Sequence, residues 1–141
     1  MIDVRYSYPY PANVLSNLYP NSFFMDGIEC ASMEGFLQAI THSDPVQRAF
    51  IVTQFGTMAK KMGNSKWKDR GLLHWNGDVY DRHEQEYQEL LDRAYLQLSY
   101  NSEFNRALKS TGDRLLIHSI GNHNPLYTIL TEYEFCERLM L

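Results

Sequence analysis

The chain has 141 residues, 44% of them hydrophobic and 21% charged, with a formal net charge of −4. That length suits one domain spanning residues 1–141, and the balance of apolar and charged residues excludes a disordered tail, a collagen-like repeat and a coiled coil. The acidic total argues against a protein that coats nucleic acid. No apolar run reaches the ~18 residues of a membrane helix, and Asp3 and Arg5 interrupt what a signal peptide would keep apolar, so a cytoplasmic protein without membrane contact is expected.

Taken in order, Val4 to Tyr8 alternates like a strand that Pro9 and Pro11 stop, and Ala12 to Pro20 has neither period and reads as an ordered loop. Ser22 to Cys30 reads as a hairpin about Asp26-Gly27, a pair that readily supplies the positive φ angles of a type I′ turn. Ser32 caps a helix on which Met33, Phe36, Leu37 and Ile40 share an apolar face, while Glu34 and Gln38 share another. Asp44-Pro45 opens the next helix, which Gly56 ends, and Met58 to Met62 forms a short helix closed at Gly63. The longest helix is predicted from about Asp78 to about Tyr100, where Tyr80, Glu84, Tyr87, Leu90, Leu91, Ala94, Tyr95 and Leu98 keep a helical period. Ser102 to Ser110 is a further helix ended near Gly112, Arg114 to His118 a buried strand, and Thr131 with Glu134 a capping box for the last helix. The sum is a helix-rich α+β domain with a small antiparallel sheet.

Candidate chemistry narrows by elimination. Cys30 and Cys136 lie far apart and in no nucleophile motif, His118 and His123 lack an HExxH or Cys/His cluster, and no P-loop, GxGxxG or GxSxG is present. No metal and no cofactor are expected. A polar set remains around the first long helix. Burial beside Met33 and Phe36 would raise the Glu34 carboxyl and the helix N-terminus would lower it, so the sign of its shift stays open. Lys60, Lys61, Lys66, Lys68 and Arg70 crowd one stretch, so one end of an acidic molecule can receive a small anion.

These segments, in order, resemble one family. Ser16-Asn17-Leu18-Tyr19-Pro20 looks like its SNFYP motif, Gly27 sits at its DGI turn, and Ser32-Met33-Glu34-Gly35-Phe36-Leu37-Gln38-Ala39 resembles its S-V-E-H-Y-F-Q-A helix start. Ala59-Lys60-Lys61-Met62-Gly63 resembles A-K-K-L-G, His74-Trp75-Asn76 stands about where D-W-D falls, and Thr111-Gly112 near its T-G. The resemblance is to the YbiA-like, or NADAR, family of N-glycosidases, from about Tyr8 to the C-terminus. Two departures stand out: Gly35 and Phe36 replace a histidine and an aromatic, and Ile120-Gly121-Asn122 lacks the tryptophan of a late W-G or W-D segment.

The resemblance implies hydrolysis of a bond between ribose C1′ and a nitrogen, in ADP-ribosylated guanine or a phosphorylated ribosylamino-pyrimidine intermediate of riboflavin synthesis. The implied partner is a small anionic nucleotide-like substrate, free or as ADP-ribosylated nucleic acid. Glu34 is then the catalytic carboxylate, and Lys60 either binds phosphate or attacks the opened sugar as a Schiff-base amine. Asn17, Tyr19, Gln38, Trp75, Asn76, His118 and Asn122 make up the implied substrate-binding set, with Trp75 offering a stacking face. A non-catalytic binder of ADP-ribose or NAD-like ligands is the alternative.

Overall fold

The computed structural model describes residues 1–141. The chain runs β1 (Ile2–Asp3), α1 (Ala12–Leu15), β2 (Phe23–Met25), β3 (Ile28–Cys30), α2 (Met33–Ala39), α3 (Pro45–Ile51), α4 (Gly56–Lys60), α5 (Trp67–Arg70), β4 (Leu72–Trp75), β5 (Asp78–Asp81), α6 (Gln85–Leu98), α7 (Ser102–Ser110), β6 (Leu116–Ile117) and α8 (Glu132–Leu139). The class is α+β, as expected from the sequence. Its strands form separate two-stranded pairs: β2 with β3 and β4 with β5 are antiparallel, and β1 runs parallel to β6 with Ile2 opposite Leu116.

Local chemistry accounts for most element ends. Asp26 and Gly27 turn the first hairpin with φ of 51° and 78°. The Ser32 hydroxyl accepts from the Gly35 amide at the start of α2, Asp44 caps α3 by accepting from Val46, and Thr131 with Glu134 forms a reciprocal capping box on α8.

Four boundaries differ from the sequence expectation. Asn76 and Gly77, with φ of 49° and 87°, turn a second hairpin, so Asp78–Asp81 is a strand and the long helix starts at Gln85. Gly56 opens α4 instead of ending α3, which is capped by Val52. A one-turn helix, α1, forms inside the expected loop. At the N-terminus the strand expected over Val4 to Tyr8 is displaced to Ile2–Asp3, because only the Ile2 and Val4 amides reach the carbonyls of Leu115 and Ile117 before the chain turns at Tyr6.

The core lies between α2 and α6. Phe36 meets Trp75 edge-on with ring centroids 4.8 Å apart, and the inward face of α6, with Tyr87, Leu90, Leu91 and Ala94, packs against β2 and β5. Each such large side chain contributes about 1.5–3 kcal/mol when taken fully out of water. No helix is long and apolar enough to cross a membrane.

Candidate active site

The first turn of α2 is held to the preceding loop by main chain. The Glu34 amide donates to the Asn17 carbonyl at 2.9 Å, which fixes Ser16–Leu18 beside the helix start. From α6 the buried Tyr95 hydroxyl donates to Asn17 Oδ1 at 2.9 Å. The carbonyl side of that amide is thereby used, and its NH2 group remains available to a ligand.

One turn further along, Gln38 Nε2 donates to Glu34 Oε1 at 2.9 Å. The orientation of Gln38 depends on a glycine from α4's C-terminal side: a Cβ on Gly63 would lie 2.1 Å from Gln38 Oε1. Any larger residue at 63 would push the amide away from Glu34. Protein surrounds Glu34 closely, although part of its surface opens on a cleft. Burial raises its carboxyl above the ordinary glutamate value of 4.5, while the Gln38 hydrogen bond and the charges of Lys60 and His118 pull in the other direction and do not prevail. Desolvation thus decides the sign that the sequence left open.

That cleft, of about 540 Å³, brings together Asn17, Glu34, Gln38, Lys60, His118 and Asn122. His118 Nδ1 lies 2.7 Å from the Val4 carbonyl. A carbonyl only accepts, so Nδ1 carries the hydrogen. Asn122 Oδ1 accepts from the Asn124 amide at 2.8 Å, again leaving an NH2 group over. A second groove of about 270 Å³ shares Gln38, Lys60, Thr128 and Ile129 with the cleft and adds Lys61 and Lys68, with no carboxylate among its lining residues. These lysines form no ion pair. No group of three or more His, Cys, Asp or Glu side chains converges in a way that would hold a metal.

Residues 9–141 match the protein family described as bacteriophage protein GP30.3. The chain belongs to that family. It is also similar to a protein of Enterobacteria phage T4 described as an uncharacterized 17.1 kDa protein in the Gp30-rIII intergenic region. The two are 34% identical over 144 residues, covering 99% of this chain and 95% of the phage T4 protein. No solved structure matches.

Three expected ligand contacts fall outside the cleft of this GP30.3-family chain. The Tyr19 hydroxyl donates to Glu103 at 2.8 Å, so its side chain ties the loop to α7, and Tyr6, edge-on to it, lines the cleft instead. Trp75 is 2% exposed, wedged against Phe36, and its indole N–H donates to Asp26 at 2.8 Å, so it offers no stacking face. Asn76 is consumed by the exposed hairpin turn. Lys60 is exposed on the cleft's rim and also lines the adjoining groove together with Lys61 and Lys68. Lys66 and Arg70 line neither the cleft nor the groove.

The departures in the helix motif lie behind the site. A Cβ on Gly35 would come within 2.6 Å of the Gln54 carbonyl and 3.0 Å of the Ile51 carbonyl, so α2 touches the end of α3 where a histidine would not fit, and Phe36 belongs to the core. Ile120, Gly121 and Asn122, by contrast, do line the cleft.

Several lining groups were not expected from the sequence. Arg5 reaches the cleft, braced by Asp3 at 3.1 Å and Ser119 at 2.6 Å. Thr128 to Thr131 form a wall supported from behind: Arg82 Nε donates to the Thr128 carbonyl at 2.9 Å, Tyr87 donates to the Ile129 carbonyl, and the Thr131 amide donates to Glu134 at 2.7 Å. Arg82, 1% exposed, also makes two hydrogen bonds to the Glu134 carboxylate at 2.6 and 3.0 Å. Only the Thr131–Glu134 capping signature was readable in advance.

Proposed function

We propose that this protein is an N-glycosidase that hydrolyses the bond between a ribose C1′ and a nitrogen of a phosphorylated, nucleotide-like substrate. The observation that carries this reading is the convergence of Glu34, Asn17, Gln38 and Lys60, from two separate NADAR-like motifs and the loop before them, on one cleft with the carboxylate sheltered and the lysine at the rim.

Breaking a C1′–N bond sends its electron pair to nitrogen and leaves positive charge on C1′ and the ring oxygen. An anionic carboxylate beside that charge lowers the barrier, and more so where water is scarce. Glu34 fills this role and then accepts a proton from the water that attacks C1′. Its raised proton affinity makes it a better base than an exposed glutamate. Gln38 holds one carboxylate oxygen and leaves the other for water. The NH2 groups of Asn17 and Asn122 bind sugar hydroxyls, while Lys60 and, in the adjoining groove, Lys61 and Lys68 bind phosphate. The NADAR-like motifs support ADP-ribosylated guanine or a phosphorylated riboflavin-pathway intermediate as the substrate class.

The test is incubation with ADP-ribosylated guanine DNA, a phosphorylated ribosylamino-pyrimidine and NAD, each followed by mass spectrometry for the released base or sugar, which for the modified DNA is ADP-ribose. Glu34→Gln is expected to keep the fold and lower turnover by about a thousandfold, taking the upper end of the range for one electrostatic group. A folded Gln variant with full activity would overturn the assignment. Calorimetric binding of ADP-ribose with neither base nor sugar released from any substrate would favour the non-catalytic alternative.

A further inference from the structure

The reaction needs a second proton transfer that Glu34 does not supply, because a purine or amine nitrogen leaves poorly unless it gains a proton as the C1′–N bond breaks. Resting on the hydrolase reading above, we infer that His118 is the general acid that protonates the leaving nitrogen. The imidazole lines the cleft, is half-buried, and is close enough to Glu34 for its charge to act on that carboxylate.

Its orientation is fixed on three sides. Nδ1 donates to the Val4 carbonyl at 2.7 Å, and the ring stands edge-on to Phe135 with centroids 5.3 Å apart. Gly121 closes the third side, where a Cβ would meet His118 Cδ2 at 2.8 Å. The backbone N–H of His118 donates to Glu132 Oε1 at 3.2 Å, which anchors the residue from the α8 side. With Nδ1 occupied, Nε2 is the nitrogen left for chemistry, and it has no protein partner. Such a bond from Nδ1 to a carbonyl sets which nitrogen can exchange a proton with a ligand. The other charged side chains lining the cleft are Arg5, Glu34 and Lys60. Arg5 is engaged with Asp3 and Ser119, Lys60 lies at the rim, and Tyr6 is more exposed and offers only a phenol, a far weaker acid, which leaves His118 as the proton donor of this cleft.

The step balances without a co-reactant other than water. The Nε2–H bond of the imidazolium breaks as an N–H bond forms on the leaving nitrogen, which keeps the electron pair of the C1′–N bond. Water oxygen bonds to C1′, and its proton passes to the Glu34 carboxylate. Solvent then takes that proton from Glu34 and returns one to Nε2.

Chemical rescue separates proton donation from a structural role. His118→Ala, assayed on ADP-ribosylated guanine DNA, is expected to lower kcat by about a hundredfold, the low end for general acid catalysis, and added imidazole to restore about a tenth or more of the lost rate. Glu34→Gln should gain nothing from imidazole. His118→Asn guards against misfolding, since its amide can replace Nδ1 on the Val4 carbonyl but offers nothing at Nε2. It should melt like the parent protein and be as slow as His118→Ala. Gly121→Ala, which displaces the ring, should lower kcat with KM little changed. An active parent whose His118→Ala variant is not rescued, or an active His118→Asn, overturns the general-acid assignment alone. A parent that releases no ADP-ribose from that DNA brings down the hydrolase reading and this assignment together.

Discussion

Glu34 and Glu134 show how surroundings give one side chain opposite tasks. Burial acts to raise the carboxyl of both. Around Glu134 it is outweighed by hydrogen bonds from Arg82, the Thr131 amide and Gln88, together with the Arg82 charge, and the carboxyl is held below its ordinary value. Around Glu34 a single side-chain hydrogen bond and two more distant charges are too little, and the carboxyl is held above it. One glutamate is locked as an anion that supports a wall of the cleft. The other, within the cleft, is kept ready to take a proton. The opposite shifts follow from the balance of desolvation against hydrogen bonds and charge at each carboxyl.

The largest effect is expected from removing the support. Arg82→Ala leaves Glu134 buried without its partner and frees the Thr128 carbonyl, and should cost about 3–5 kcal/mol of stability in denaturant titrations. The same comparison sets a pH signature. Glu134 contributes stability that is present above its unfolded value and lost as pH falls through its lower folded value, so acid unfolding of the parent should be steeper below pH 4.5 than that of Arg82→Ala. Glu34 works in the opposite sense, since its native state favours the protonated form and that contribution fades as pH rises through the raised value.

A smaller effect, about 1–3 kcal/mol, is expected for Gly35→Ala, which must force α2 away from the Gln54 carbonyl. Unlike Arg82→Ala it should leave the supports of Thr128–Thr131 intact, but because α2 also carries Glu34 and Gln38, thermal melts with activity measured at low temperature should show a loss of turnover beside the loss of stability. The smallest effect concerns the site itself. Lys60→Ala should raise KM about tenfold to a hundredfold through a lost charge-assisted phosphate contact. It also removes a charge that lowers the Glu34 value, so the acid limb of the kcat/KM profile should move to higher pH. An unmoved limb would show that Lys60 and Glu34 do not sense one another.

The half of the site built on local chemistry was legible in the amino-acid order. Ser32 as a cap and Glu34 with Gln38 one turn apart are consequences of helix geometry, and the structure keeps both relations. The role of Gly63 was hidden, because the need for a missing side chain arises only when α4 is laid beside α2. Asn76-Gly77 carried a strong turn signal, but Tyr80 fits both a strand and the period of the following helix, and the longer pattern masked the shorter one. Of the opposite wall only the Thr131–Glu134 capping box was legible, since Arg82 and Glu134 are 52 residues apart and a buried ion pair leaves no periodic trace. Arg5 is further removed still, 114 residues from the serine that braces it.

The parallel pairing of β1 with β6 has a consequence for how the protein comes into being. It sets the Val4 carbonyl against an imidazole synthesised more than a hundred positions later. A nascent chain that has cleared the ribosome only through α7 already holds both signature motifs, yet owns half a basin. The cleft is complete only when the last quarter arrives, so incomplete translation products should lack the proposed activity.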